Sequence, residues 1–283
     1  MSQALLNNQQ KSALRQETRL NIPFYLWLTV PVAISTLIVA LSGVINPADV
    51  YKNSESLAAQ GQAQDLVTLI VALPALLLST WYVAHESIRG RIVWLGTMTY
   101  LAYTYAISAF QVEFNQLFLF YVLILGGAFY GTLLGFLNIK LDDVRLSEKT
   151  PVRVVSLIAG FIAFAYYGLW LSDLIPAVLN NTVPEAVITD KIPTSAVHVL
   201  DMGFYLPLLL VGAVLLWQRK PMGLVITGAT LSFGVIMGLA VGAMVVNQAR
   251  WEVIDSLAPV IIFAVTTILI GGALIGLLRN VEA

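Results

Sequence analysis

The residues of this sequence that are best suited to chemistry are a histidine and an aspartate near the start of an apolar stretch. Both belong to the segment TSAVHVLD, residues 194–201. His198 and Asp201 are three residues apart, so they share one face of a helix. At 1.5 Å per residue, Asp201 lies about 7 Å inside the membrane, where ionisable side chains usually serve function. We therefore predict a cation or proton site at this pair; the alternative is that Asp201 interacts with the helix dipole and His198 lies at the wet interface.

Further acidic residues lie at the same predicted end of the apolar stretches: Asp65, Glu113, Asp173, Glu252 and Asp255. In a compact bundle, several of them would join His198 and Asp201 in one outward-facing pocket, with Arg250 as the counter-charge. Each one alone predicts only a solvated helix end. A single histidine with scattered acids has no recognisable ligand spacing, so the sequence does not define a metal.

A polar stripe follows the third apolar stretch and forms the predicted lining of a path inward from these acids. Its members recur at spacings of three and four residues, which is helical periodicity: Thr97, Tyr100, Thr104, Ser108 and Gln111. Hydroxyl groups of this kind also simply bond to neighbouring helices in membrane bundles. The sequence leaves both readings open.

The composition indicates a protein that is surrounded mostly by lipid. Hydrophobic residues make up 58% of the chain, charged residues 11%, and the mean hydropathy is +0.83. The absence of cysteine excludes disulfides and thiolate metal sites, and two histidines are too few for a histidine-rich centre. No phosphate-binding loop, zinc-protease motif or nucleophile turn occurs. We expect membrane lipids as partners, no nucleic acid and no cofactor.

Eight apolar runs are long enough to span a bilayer as helices. They cover residues 22–44, 64–84, 92–112, 115–137, 152–173, 196–217, 221–246 and 256–278. With alternate connections inside, twelve of the fifteen basic residues lie on one face, and only Lys52, Lys191 and Arg250 lie on the other. By the positive-inside rule, both termini are cytoplasmic, in a membrane that we take to be a prokaryotic cell membrane. The predicted fold class is therefore an all-α integral membrane bundle of eight helices.

The predicted domain organisation is a polar cytoplasmic tail, residues 1–21, followed by one membrane domain, residues 22–283. Leu73-Pro74 and Leu206-Pro207 occupy similar places in the second and sixth spans. This likeness suggests two parallel four-helix halves, residues 22–145 and 146–283. Glycines at four-residue spacing allow close helix packing within the chain or between copies: Gly127, Gly131 and Gly135, then Gly234, Gly238 and Gly242.

Three functions are compatible with these features. The first is a small transporter or carrier whose outward-facing acidic site binds a cation or a proton. The second is a non-catalytic accessory, sensor or assembly protein whose polar groups are structural. The third is an intramembrane enzyme that uses His198, outer carboxylates and a bound metal, and the thin ligand set makes it the least favoured.

Overall fold

The computed structural model describes residues 23–282 and contains, in this range, eight long helices that we label α1 to α8. Their bounds are Phe24–Ile45, Glu55–Ala84, Ile88–Gln111, Phe118–Leu137, Val152–Leu179, Ala196–Trp217, Pro221–Arg250 and Ala258–Arg279. The first turn of α1 is a 3-10 helix. Short helices, Pro47–Val50 and Glu185–Thr189, lie in the connections. The predicted tail, residues 1–21, falls outside the described range.

Seven of these eight helices are long and apolar enough to cross a membrane. The eighth, α3, has 24 residues, which is sufficient length, but its polar stripe lowers its hydropathy. The predicted all-helical, multi-pass membrane architecture is thus confirmed. A span for α3, and hence a total of eight, stays a prediction.

The connections between the helices meet in two separate groups. At one end, which we call the cavity end, the Asn53 amide donates to the carbonyls of Gln111 and Lys191, at 3.1 and 3.4 Å. At the other, which we call the basic end, the Arg219 guanidinium donates to the Ser147 carbonyl at 3.4 Å. Two short strands, β1 (Arg145–Leu146) and β2 (Val281–Glu282), also pair antiparallel at the basic end.

Two helices, α3 and α7, occupy the centre of the bundle. α7 packs against α2, α3, α6 and α8, whereas α3 packs against α2, α4 and α7. The rings of Trp94, Tyr100 and Tyr105 on α3 are almost fully buried. α1 packs mainly on α2 and α4, and α5 on α6 and α8, so the two predicted halves meet where α7 touches α2 and α3. The repeat itself stays a prediction.

Prolines shape two of the helices in the same unusual way. A five-residue π-helical segment, Thr68–Ala72, directly precedes Leu73-Pro74 in α2. A second one, Asp201–Tyr205, directly precedes Leu206-Pro207 in α6. Because proline has no N–H, the preceding turn lacks a hydrogen bond and widens locally. The likeness of the two Leu-Pro sites therefore extends from their sequence to their backbone.

The predicted glycine zippers pack against neighbours in the same chain. A methyl group added at Gly127 would lie 2.6 Å from the Val32 side chain of α1, and one at Gly135 would lie 2.6 Å from the Trp94 ring of α3. Gly234 faces the Tyr205 hydroxyl in the same manner, at 2.9 Å. Gly131 and Gly238 also meet intrachain neighbours, and Gly242 faces open space. Oligomerisation through these glycines stays a prediction.

Candidate functional site

A cavity of about 310 Å³ extends into the bundle from the cavity end. Helices α2, α3 and α5 to α8 all contribute to its lining. Gln60 and Asp190 lie near its mouth, and Gly234 and Ile270 lie deeper in the bundle. The side-chain amide of Gln60 donates to both carboxylate oxygens of Asp190, at 3.1 and 3.2 Å. Sequence analysis assigned no role to Asp190, because it lies in a polar connection where carboxylates are common.

Asp201 lines this cavity and is held by two neutral donors. The Tyr103 hydroxyl of α3 donates to Oδ1 at 2.7 Å, and the Trp170 Nε1–H of α5 donates to Oδ2 at 2.8 Å. Within residues 23–282, no lysine or arginine lies within ion-pairing distance of Asp201. The two bonds fix the direction of the carboxylate, while its charge has no cationic partner in the described chain.

The backbone around Asp201 departs from a regular helix because of Pro207. Asp201 begins the π-helical segment, and the Tyr167 hydroxyl donates to the Met202 carbonyl at 2.8 Å. Proline at position 207 removes the N–H that a π-helix would offer to this carbonyl. The sequence suggested a freed carbonyl at Gly203; in the structure, the carbonyl bonded by another helix is one residue earlier, at Met202.

His198 also lines the cavity, but it does not bond to Asp201. Its Nε2 lies 3.8 Å from Asp173 Oδ2, and its ring meets that of Trp170 edge-on at 4.6 Å. The side chain is 8% exposed, and neither ring nitrogen has a hydrogen-bond partner among the described residues. The predicted N-cap at Ser195 is present, since its hydroxyl accepts from the His198 N–H at 3.4 Å.

The other acidic candidates do not join the cavity. Asp65 is buried in α2, where its carboxylate accepts a 2.6 Å hydrogen bond from the Tyr51 hydroxyl. Burial above all, and then the nearby charge of Asp65, raises the pKa of Tyr51 well above its ordinary value. Glu113, Glu252 and Asp255 are exposed and are absent from the cavity lining. Thus the structure places His198 and Asp201 in the cavity lining, with Asp173 beside His198 but outside the lining, and leaves four of the predicted acids apart.

The polar stripe of α3 is buried, and its two parts make different contacts. Its deeper part ties helices together: the Tyr100 hydroxyl lies 2.8 Å from that of Thr68, and Thr104 accepts from the Gln64 amide at 2.9 Å. The Thr97 hydroxyl donates to a carbonyl of its own helix. The part of the stripe nearer the cavity end reaches the cavity, where Ser108 and Gln111 form part of the lining.

Aromatic side chains of α5 were missed as site residues. Trp170 and Tyr166 line the cavity, although Trp170 near a span end predicts only a place in the interfacial belt. A signal was available, since Tyr166, Tyr167 and Trp170 occur within five residues and share a helix face. The sequence alone does not show which helix this face packs against; in the structure, α5 lies beside α6.

An open groove lies outside the cavity, between α1 and α2 on one side and α7 and α8 on the other. It measures about 820 Å³ and is lined mainly by apolar side chains. Arg250, the expected counter-charge of the acidic pocket, lines this groove and not the cavity. Gly238 of α7 belongs to the lining of both spaces, so it stands between them.

The described residues contain no group of three or more histidine, aspartate or glutamate side chains that could hold a metal ion. Comparison with known proteins adds no assignment: no family model, no curated protein and no solved structure matches this chain. The function must therefore be inferred from the geometry of the cavity.

Proposed function

We propose that this protein is a small membrane carrier that binds a cation at Asp201. The observation that carries the proposal is a carboxylate that two neutral donors orient toward a cavity, with no lysine or arginine in that cavity's lining within residues 23–282. Placing an uncompensated negative charge at membrane depth is costly. A bound cation would lower that cost, since opposite charges attract strongly where water is scarce.

We further propose that the cavity opens to the outside of the membrane. The connections at the cavity end carry few basic residues, whereas most basic residues of the chain belong to the basic end. Under the positive-inside rule, the basic end is then cytoplasmic. The π-helical segments of α2 and α6 support a carrier, because such irregular turns often lie where a helix bends during function.

The test is to measure charge movement in proteoliposomes on a solid-supported membrane after rapid jumps in cation concentration. The panel contains protons, sodium, potassium and small ammonium ions. We expect a transient current for at least one cation with the wild-type protein. Asp201→Asn should abolish it, because the amide keeps the shape and loses the charge.

Asp255→Asn is the matched control, since it removes an exposed carboxylate that lies outside the cavity. It should leave the current unchanged. Size-exclusion profiles and circular dichroism establish that both variants are folded. Wild-type currents no larger than those of protein-free liposomes, or a full current from folded Asp201→Asn, would refute the carrier.

A structural role within an accessory or assembly protein is the second candidate. It is favoured by the hydrogen bonds that Asp201 already accepts from α3 and α5. In that case Asp201→Asn lowers the melting temperature in detergent, and no cation of the panel produces a current with either protein. The same experiments thus separate the two functions.

A further inference from the structure

The walls of the cavity are unusual for an inorganic cation, because they consist mainly of aromatic rings and apolar side chains. Besides Tyr51 in the connection before α2, the rings come from α3, α5, α7, α8 and the end of the π-helical segment in α6: Tyr103, Tyr166, Trp170, Tyr205, Phe233 and Phe263. The Tyr205 and Phe233 ring centroids are 4.4 Å apart, and those of Tyr103 and Phe233 are 5.2 Å apart. Tyr103, Phe233 and Tyr205 therefore form one continuous group of rings, and Tyr103 also donates to Asp201.

Carboxylate ligands are too few here for a bare divalent metal ion. Magnesium and calcium take six or more oxygens at short distances. The lining has two carboxylates, Asp201 and Asp190, and Asp190 is engaged with Gln60; the other oxygens belong to neutral side chains such as Ser108. An ammonium group, in contrast, is neutralised by one carboxylate, and its apolar substituent gains free energy when it is buried against aromatic rings.

The imidazole of His198 gives a second and independent indication of a ligand, because neither nitrogen makes a hydrogen bond within the described residues, although Asp173 Oδ2 lies 3.8 Å from Nε2. Its side chain is more than nine-tenths buried, it lines the cavity, and both nitrogens lack a partner within the described residues. Buried polar groups without partners are rare, and a bound molecule is one way to satisfy them. A neutral imidazole nitrogen accepts a hydrogen bond from an N–H group, which an ammonium ligand provides.

The size of the cavity limits the ligand. If each non-hydrogen atom takes about 30 Å³, the volume of a water molecule in the liquid, the cavity holds roughly ten of them. This is enough for an ammonium group with one ring or one short branched chain.

From these observations we infer that the cavity binds a small organic cation, an ammonium ion with a single aryl or alkyl substituent. The ammonium group lies against Asp201 and His198, and the substituent lies against the rings of Tyr205, Phe233 and Phe263. This inference rests on the proposed cation site at Asp201 and specifies what that site accepts.

The test compares benzylammonium and cyclohexylammonium chlorides with benzyl alcohol and sodium chloride. Binding to the purified protein in detergent is measured by isothermal titration calorimetry and by the fluorescence of Trp170, which donates to Asp201. Trp170→Phe identifies the part of the signal that comes from this residue. We expect both ammonium ions to bind at least tenfold more tightly than benzyl alcohol or sodium.

Single substitutions distinguish the contribution of the Asp201 charge to ligand binding from that of the aromatic rings. Asp201→Asn should weaken ammonium binding by tenfold or more, and Asp255→Asn should not change it. Phe263→Leu should weaken it by about two- to tenfold, the range that an aromatic packing contact with the substituent covers. If Asp201→Asn does not fold, Tyr103→Phe replaces it, since this change keeps the ring and removes one bond that orients the carboxylate; several-fold weaker binding is expected.

Two results would overturn the inference. One is equal affinity for benzylammonium and benzyl alcohol, which would show that charge plays no part. The other is a sodium- or proton-driven current that requires Asp201 without any binding of the two ammonium ions. The second result would leave the carrier standing and reject only the class of its substrate.

Discussion

Tyr51 and Asp65 form a buried pair that is separate from the cavity carboxylate. Tyr51 lies in the connection before α2, and its hydroxyl donates to Asp65 Oδ2 at 2.6 Å. Both side chains are less than a tenth exposed. A buried carboxylate that loses its hydrogen-bond donor keeps the full cost of desolvation. The pair therefore anchors the connection 46–54 to α2 at the cavity end.

Tyr51→Phe should lower the free energy of unfolding by about 1–3 kcal/mol, the cost of leaving Asp65 without its donor. The measurement is denaturant or thermal unfolding in detergent. Tyr130→Phe is the control, because Tyr130 is 59% exposed and should change stability by less than about 0.5 kcal/mol. Equal stabilities for the two variants would contradict an anchoring role.

The pair also predicts a dependence on pH. The pKa of Tyr51 in the folded protein lies above the value of about 10 for an exposed tyrosine. The stabilisation by the neutral phenol is therefore complete below about pH 10 and is lost as the pH rises toward the raised folded value. When unfolding is measured over a series of pH values, the free energy of unfolding should fall less above pH 10 for Tyr51→Phe than for the wild type. An identical fall in both proteins would contradict a stabilising role of the neutral Tyr51 phenol.

At the scale of helices, the backbones of α3 and α7 approach each other closely where the two helices cross in the centre of the bundle. A methyl group added at Gly96 would lie 2.5 Å from the Ala229 carbonyl oxygen and 3.0 Å from the Phe233 backbone nitrogen. Backbone atoms within a helix cannot rotate away as a side chain does. Glycine at position 96 thus sets the distance between these two helices.

Gly96→Ala should destabilise the protein by about 1–3 kcal/mol, as overpacking does in well-filled cores. Gly160→Ala in α5 is the matched control, since nothing lies within 4 Å of a methyl group added there. Alanine is the better helix former by about 0.5–1 kcal/mol, so the control should be unchanged or more stable. The measurement is the thermal unfolding of both variants. An unchanged melting temperature for Gly96→Ala would show that α3 and α7 can move apart at little energetic cost.

Much of the helical fold can be predicted from the sequence, because membrane helices can be found from the length of the apolar runs and from the polar residues that separate them. The ends are harder. Glu86, Arg219 and Glu252 adopt left-handed backbone conformations, with φ of 62°, 57° and 58°, where a glycine would be the usual signal. The first part of α2 was also missed, since residues 55–63 are too polar to suggest a span and gain their order from contacts with other helices at the cavity end.

At the scale of the whole molecule, sidedness can be tested with unusual ease because the chain contains no cysteine. Single cysteines can therefore be introduced at exposed positions at either end, Lys52 and Lys140. In intact cells, a membrane-impermeant maleimide should label Lys52→Cys, whereas Lys140→Cys should react only after permeabilisation. The opposite pattern would place the cavity on the cytoplasmic side and reverse the proposed direction of access.

The candidate site could be predicted only in part. Asp201 and His198 could be found from their depth and spacing, which are properties of one helix. The wall of rings could not, because Tyr103, Trp170 and Phe263 come from three other helices whose neighbours depend on packing. Asp65 was assigned to the same pocket as Asp201 because both lie at the same end of their spans, but Tyr51 stands between Asp65 and the cavity that Tyr51 itself lines.

The position of Gly238 has a practical consequence for measurements on this protein. Between the cavity and the groove, the partition at this point consists of the Gly238 backbone and the Thr267 side chain that packs against it. A detergent or lipid tail in the groove is thus separated from the cavity only by this backbone and this side chain. Affinities should consequently vary with the tail length of the solubilising amphiphile, and nanodiscs of defined lipid offer the surer reference state.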